Sequence, residues 1–185
     1  MDIRALANHI ESQVPNLKIY IGDDAIQSPY FNFRSKISSY GTYSNQELEN
    51  AINKTVHFDS DYIGIFPAAF NLYHTLFHEL AHCMARTDLL NRKSLTAITS
   101  SKNVDELMYF RNKYIGTEEY IAESVASKLL DYYNYSDIKS TIFIAGYLMN
   151  YSNTNPEIDV DYEIDRCFKV IVNILGDLSQ IKNAA

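Results

Sequence analysis

Apolar residues at positions 3, 6, 7, 10 and 14 recur at the spacing of one helical face, and Pro15 ends the run. The chain is therefore expected to open with an amphipathic helix. "LKIYI" at 17–21 alternates as a strand does, and residues 22–43, rich in Gly, Ser, Asn and Tyr, read as loop. Ser44 with Glu47 has the spacing of a capping box for a short helix to about residue 53. "DYIGIFP" at 61–67 is a second strand, stopped by Pro67. A helix is expected from about 68 to 86, with Phe70, Tyr73, Phe77, Leu80 and Met84 among its apolar positions. Residues 87–103 read as irregular, and 104–113 as a weaker helix. A stronger helix runs from Thr117, as N-cap, to about 133, and two more lie near 137–150 and 157–181. The pattern predicts an α+β chain, mostly helical, with a small sheet beside the helix of 68–86.

No repeat, low-complexity tract or linker divides these elements, and 185 residues suit one domain. Residues 1–57 form an N-terminal helix, strand and loop part, and 58–181 the core. The net charge of -7, with "NRK" at 91–93 as the longest basic cluster, argues against a general nucleic-acid binder. Two cysteines make no disulfide framework. The first fifteen residues lack an apolar signal core, and "TIFIAGYLM" at 141–149 is too short to span a bilayer. A cytoplasmic protein without a membrane partner is expected.

The candidate chemistry lies in "NLYHTLFHELAHCMA" at 71–85, which holds three of the five histidines. His78 and His82 stand one helical turn apart with Glu79 between them, the H-E-x-x-H pattern. Two imidazoles at that spacing can share one zinc ion, and Glu79 lies one residue round, where a general base can act on water without ligating the metal. The motif sits in a strongly apolar helix, where paired histidines are costly unless something satisfies them. His74 lies eight residues from His82, roughly 12 Å along a helix axis, so one ion cannot take both from a straight helix. His74 is read as a supporting group or a core histidine, and Cys83 as a buried thiol.

A third ligand is sought in "GTEEYIAESVASKLLDYY" at 116–133. Glu119 and Glu123 are one turn apart and share a face with Ala122 and Ala126, which permit close approach of another helix. An acidic first turn in solvent accounts for Glu118. Glu119 is assigned as the third metal ligand, and Glu123 as acceptor of a ligand histidine's N–H.

These residues carry a resemblance. The stretch from Asp61 through Ile63 and Pro67 to Thr75, Leu76, His78, Glu79, Leu80 and His82, followed by "LLNR", resembles the metallopeptidase domain of ArdC-type antirestriction proteins and related phage and plasmid polyvalent proteins. Glu118, Glu119, Tyr120, Ile121, Ala122 and Glu123 match that family's acidic segment. "AGYLMNY" and "CFKVIVNIL" look like its last helices. The alternation of Glu119, Ala122, Glu123, Ala126, Leu129 and Leu130 is also similar to the ImmA/IrrE metallopeptidases. The resemblance covers about residues 58–175. It implies a gluzincin-like zincin fold, His78, His82 and Glu119 as zinc ligands, Glu79 as base, and an anti-defence or regulatory role in a bacterial host cell. ArdC-type proteins carry a longer N-terminal DNA-binding part, so nucleic-acid binding is not expected of this chain.

Zinc-dependent peptide hydrolysis is the expected activity, on a protein or peptide substrate. Tyr114, Tyr120 and Tyr162 are the candidate oxyanion donors. The strand "YIGIF" offers an edge for an extended peptide, with Gly64 permitting close approach, or is an ordinary buried strand. The alternative is an acidic binding protein that blocks a host defence or DNA-binding factor without catalysis. An intact Glu79 favours the enzyme.

Overall fold

The computed structural model describes residues 2–52, 55–92, 104–150 and 158–180, excluding the side chains of 35, 38, 52, 86–92, 104 and 106–115. The elements are α1 (Ile3–Gln13), β1 (Leu17–Ile21), α2 (Asp23–Gln27), α3 (Phe33–Ser38), β2 (Gly41–Ser44), α4 (Gln46–Ile52) and β3 (Asp61–Ile65). There follow α5 (Leu72–Arg92), α6 (Val104–Tyr132), α7 (Ile138–Asn150), α8 (Val160–Leu175) and a 3-10 turn at Leu178–Gln180. The class is α+β and mostly helical. No helix among the described residues is long and apolar enough to cross a membrane.

The sheet has the order β1-β3-β2. β1 pairs with β3 in parallel and β2 with β3 antiparallel, so β3 is the centre and β2 an edge. Alternation along β3 divides two cores. Ile63 and Ile65 face the helices, while Tyr62 and Phe66 join Ala25, Phe31 and Phe58 on the other face. Central strands have no free edge, so the expectation that "YIGIF" offers one to a peptide is not met. Gly64 is needed for a different approach: a Cβ there would lie 2.7 and 2.8 Å from ring carbons of Phe31.

On the helical face α5 packs along α6. Leu76, Phe77, Leu80, Ala81 and Ala85 meet Ile121, Ala122, Val125, Ala126, Leu129 and Leu130 in one buried cluster. The small residues on both helices bring the two backbones close, and α8 closes the cluster with Ile164, Cys167, Ile171 and Leu175. Cys83 is buried in the same cluster, as its position implied.

Several boundaries differ from the sequence expectation. The segment expected as loop holds α2, α3 and β2, elements of four to six residues that are too short for a periodic signal. The cap of α4 is Asn45, whose Oδ1 accepts the Leu48 N–H at 3.0 Å, because Ser44 is spent as the last residue of β2. α5 begins four residues later than expected. Asn71 caps it, with Oδ1 accepting the His74 N–H at 3.0 Å, and Phe70 falls outside the helix. Its C-terminal end runs to Arg92; residues 93–103, expected to be irregular, lie outside the described ones. α6 is continuous through Gly116 and Thr117, so Thr117 is no cap; it and Glu118 are buried, and Glu118 is not in a solvated first turn. Packing against α5 overrides the local break signal there.

Gly64→Ala is expected to destabilise the fold by about 1–3 kcal/mol through overpacking against Phe31. Urea unfolding of the purified variant measures it, and an unchanged midpoint would contradict the packing described.

Candidate metal centre

The site forms where α5 and α6 face each other below the edge strand β2. Helical spacing puts His74, His78 and His82 on successive turns of α5, with Glu119 and Glu123 one turn apart on α6 opposite them. All three histidines are buried, and Glu123 has no exposure at all. A charge so placed must be satisfied from within. Glu123 accepts from His74 Nε2 at 2.8 Å on Oε1 and from His78 Nδ1 at 2.7 Å on Oε2. An ionised carboxylate only accepts, so both nitrogens carry hydrogens.

That assignment leaves the Nε2 lone pair of neutral His78 pointing away from Glu123. His82 Nε2 lies 3.0 Å from it, Glu119 Oε2 3.3 Å from it, and Glu119 Oε1 3.4 Å from His82 Nε2. Ligands at 2.0–2.1 Å from a tetrahedral ion are separated by roughly 3.3 Å. The three separations approximate the edges of such a tetrahedron. The protein's own hydrogen bonds do not settle the cluster. With both imidazoles neutral, His82 donating through Nε2 to His78 leaves its buried Nδ1 as an acceptor without a partner, and Nδ1 carrying the hydrogen sets two lone pairs against each other; without a metal the contact is relieved by a proton on His78, in keeping with its raised pKa. A metal ion would take the place of that proton, and the donor set and its separations fit one. His74, His78 and Glu123 also lie close enough to share an ion, but both oxygens of Glu123 already accept imidazole N–H groups.

The electrostatics describe a pocket that draws in positive charge. Burial would lower the His78 pKa, but hydrogen bonds with Glu119 and Glu123 and the charge of Glu79 outweigh it and push the value up to about 10. Burial would raise Glu119, but His82 and His78 hold it well below the usual carboxylate range. Glu123 is likewise pulled down against its burial, to about 2, by His74 and His78.

The cluster opens into a cavity of about 430 Å³. Its walls are residues 39–43 leading into and along β2, the ligand face of α5 and α6, and Phe143 and Tyr147 of α7. Glu79 is a buried wall residue, outside the three-ligand group. β2 is pressed against it: a Cβ on Gly41 would stand 2.5 Å from Thr75 Cγ2 and 2.9 Å from Glu79 Oε1. Gly41 is thus a packing requirement of Glu79 and Thr75.

Tyr147 was missed by the sequence argument. Its hydroxyl donates to Glu119 Oε2 at 2.5 Å, and its ring lies edge-on to His78 with centroids 5.8 Å apart. Nothing in a tyrosine at position 147 points there until α7 is docked. Tyr120 and Tyr162 do not line the cavity, and Tyr162 is exposed on α8. The side chain of Tyr114 lies outside those described. α7 itself is anchored by two linked caps: Asp137 Oδ1 accepts the Ser140 N–H at 2.8 Å, and Asn71 Nδ2 donates to Asp137 Oδ2 at 2.9 Å.

The chain matches no protein-family model, no curated protein and no solved structure in the comparisons made with each.

Two predictions follow from the geometry. Purified protein should bind about one divalent ion per chain; His82→Ala should abolish it, whereas Glu123→Ala should weaken it roughly 10- to 100-fold. Elemental analysis over a graded chelator series checks this, and retention of metal by His82→Ala would refute the ligand set. In chelator-treated protein, His78 is raised above its unfolded 6.5, so its contribution is full below that pH and fades as pH rises through about 10. Glu123 is depressed below 4.5, so its contribution is full above that pH and fades as pH falls through about 2. Stability by urea unfolding should therefore peak between pH 4.5 and 6.5. A peak on the alkaline side would contradict the assignment.

Proposed function

We propose that this chain is a zinc-dependent metallopeptidase of the zincin type, hydrolysing peptide bonds. The observation that carries the proposal is the convergence of His78 Nε2, His82 Nε2 and a Glu119 carboxylate oxygen at tetrahedral-edge separations, with Glu79 on the wall of the same cavity. Two imidazoles and one carboxylate are a donor set suited to catalytic zinc, with one position left for reactants. Zinc held there would supply Lewis acidity to a peptide carbonyl and to water.

The residues divide the remaining work. Glu79 takes a proton from the attacking water and passes it to the leaving amine, the role of a general base that then serves as acid. The contact with Gly41 holds its side chain beside the strand that lines the cavity. Tyr147, by releasing Glu119, can turn its hydroxyl to the oxyanion that develops on the carbonyl. Glu123 keeps His78 in the tautomer that presents Nε2, and His74 holds Glu123 in turn. The resemblance to ArdC-type and ImmA/IrrE metallopeptidases agrees with this division and suggests an anti-defence or regulatory setting in a bacterial host.

Metal-loaded Glu79→Gln is expected to retain zinc and lose at least about 100-fold in kcat on any peptide the wild type cuts. Tyr147→Phe should lower kcat by roughly 10- to 1000-fold with little change in KM, since its donor acts late. Cleavage products identified by mass spectrometry in a peptide mixture provide the measurement. Equal cleavage by Glu79→Gln and wild type would refute the mechanism.

A further inference from the structure

The ligand end of the cavity is polar, and an aromatic cluster that includes Tyr40 and Phe143 of its wall adjoins it. Tyr40, in the segment entering β2, Phe70, ahead of α5, and Phe143, on α7, come from three separate elements. Their ring centroids lie 5.3 Å apart for Tyr40 and Phe70, 5.7 Å for Tyr40 and Phe143, and 4.8 Å for Phe70 and Phe143. Phe143 also lies against His74 and Tyr147, each with centroids 5.6 Å away, so the cluster continues into the metal centre. Each contributor is held. The Tyr40 carbonyl accepts the Phe66 N–H at 2.8 Å, and Asn71 beside Phe70 donates to both Asp137 Oδ2 and Ser140 Oγ at 2.9 Å.

Rings held so firmly would normally be covered, yet Tyr40 is 41% and Phe70 37% exposed. Tyr40 and Phe143 face the cavity itself. Among the described residues the cavity wall includes no Lys, Arg or Asp. Its carboxylates Glu119 and Glu123 are engaged by Tyr147 and the histidines, and Glu79 lines the same wall, so an acidic side chain at the aromatic rings would meet like charge rather than a basic partner. Tyr40 also adjoins Gly41, where an added Cβ would stand 2.9 Å from Glu79 Oε1, so the aromatic cluster begins one residue along the chain from the backbone that faces Glu79.

Resting on the peptidase assignment above, we propose that Tyr40, Phe70 and Phe143 form a subsite for a large apolar side chain of an extended peptide lying along β2, next to the bond that is cut. An aromatic or branched aliphatic side chain would cover the exposed ring faces and remove its own surface from water. The strand supplies main-chain alignment, and the ring cluster supplies the choice of residue.

The test measures binding as well as cleavage. Zinc-loaded Glu79→Gln protein is titrated, by fluorescence anisotropy, into labelled peptides of one length with Phe, Leu, Lys, Asp or Gly at the central position of an Ala/Ser background. The same peptides are given to the wild type and the products are identified by mass spectrometry. Phe and Leu peptides are expected to bind about 10-fold or more tighter than Asp and Gly peptides. Phe143→Ala should erase most of that difference at unchanged zinc content, and Phe143→Leu should restore much of it. Phe70→Ala provides a second probe should Phe143→Ala fail to fold. Tightest binding of the Lys peptide, or a preference indifferent to both alanine variants, overturns the subsite. Apolar preference without cleavage upholds the subsite and overturns the hydrolase; cleavage without apolar preference does the reverse. Neither binding nor cleavage overturns both.

Discussion

Glu123 is the constraint on which the site depends. It has no solvent exposure, and a carboxylate in that position is tolerated only with its oxygens hydrogen-bonded. Both are, by imidazoles from two successive turns of α5. A slip of α5 along α6 by one residue would break both bonds and bury an uncompensated charge. The apolar contacts between Leu80, Ala81, Ala122 and Ala126 bring the helices together, but many registers would bury similar area. The polar pair selects among them, and with that register Glu119 comes to rest against the far nitrogens of His78 and His82.

The other walls of the cavity are set by backbone demands of the same kind. β2 can approach α5 only because residue 41 has no side chain to strike Thr75 and Glu79. Asp61 holds the far end of β2, accepting from the Tyr43 hydroxyl and the Gln46 N–H, each at 2.7 Å. The Asn71 and Asp137 caps tie the starts of α5 and α7, which places Phe143 and Tyr147 over the histidines. A polar ligand end and the aromatic cluster adjoining it are therefore positioned by three short hydrogen-bonded links rather than by one large interface.

Much of this was legible in the chain, for a physical reason. The four-residue spacing of His78 and His82, and of Glu119 and Glu123, is set by helix geometry alone, so it survives any tertiary arrangement. β1 was visible from its period-2 alternation, and β3 from a short apolar run stopped by Pro67. What was not legible depends on docking. Tyr147 became part of the site only when α7 crossed the cavity, and fifteen tyrosines gave no ground for choosing it. The edge strand was misplaced because strand order is a non-local fact: "GTYS" is short and half polar, whereas "DYIGI" has the stronger pattern for the very reason that it is central and covered on both faces. Thr117 and Glu118 looked like a helix start because their local chemistry is that of one, yet burial against the neighbouring elements carries α6 through them.

Three glutamates share this cavity, and their surroundings separate what each can do. Glu123 is fully buried and each of its oxygens accepts an imidazole N–H, which ties it to His74 and His78. Glu119 faces two imidazole nitrogens at ligand-to-ligand separation, and those imidazoles hold it ionised, the form in which a carboxylate ligates a metal. Glu79 stands outside that group, on the wall beside β2 and one residue round the helix from His78. A general base must be close to the reacting water yet remain free of the metal. Of the three carboxylates only Glu79 lines the cavity while standing outside both the three-ligand group and the hydrogen bonds that hold Glu123, which suits the role proposed for it; a step of about 100 degrees along α5 separates it from His78.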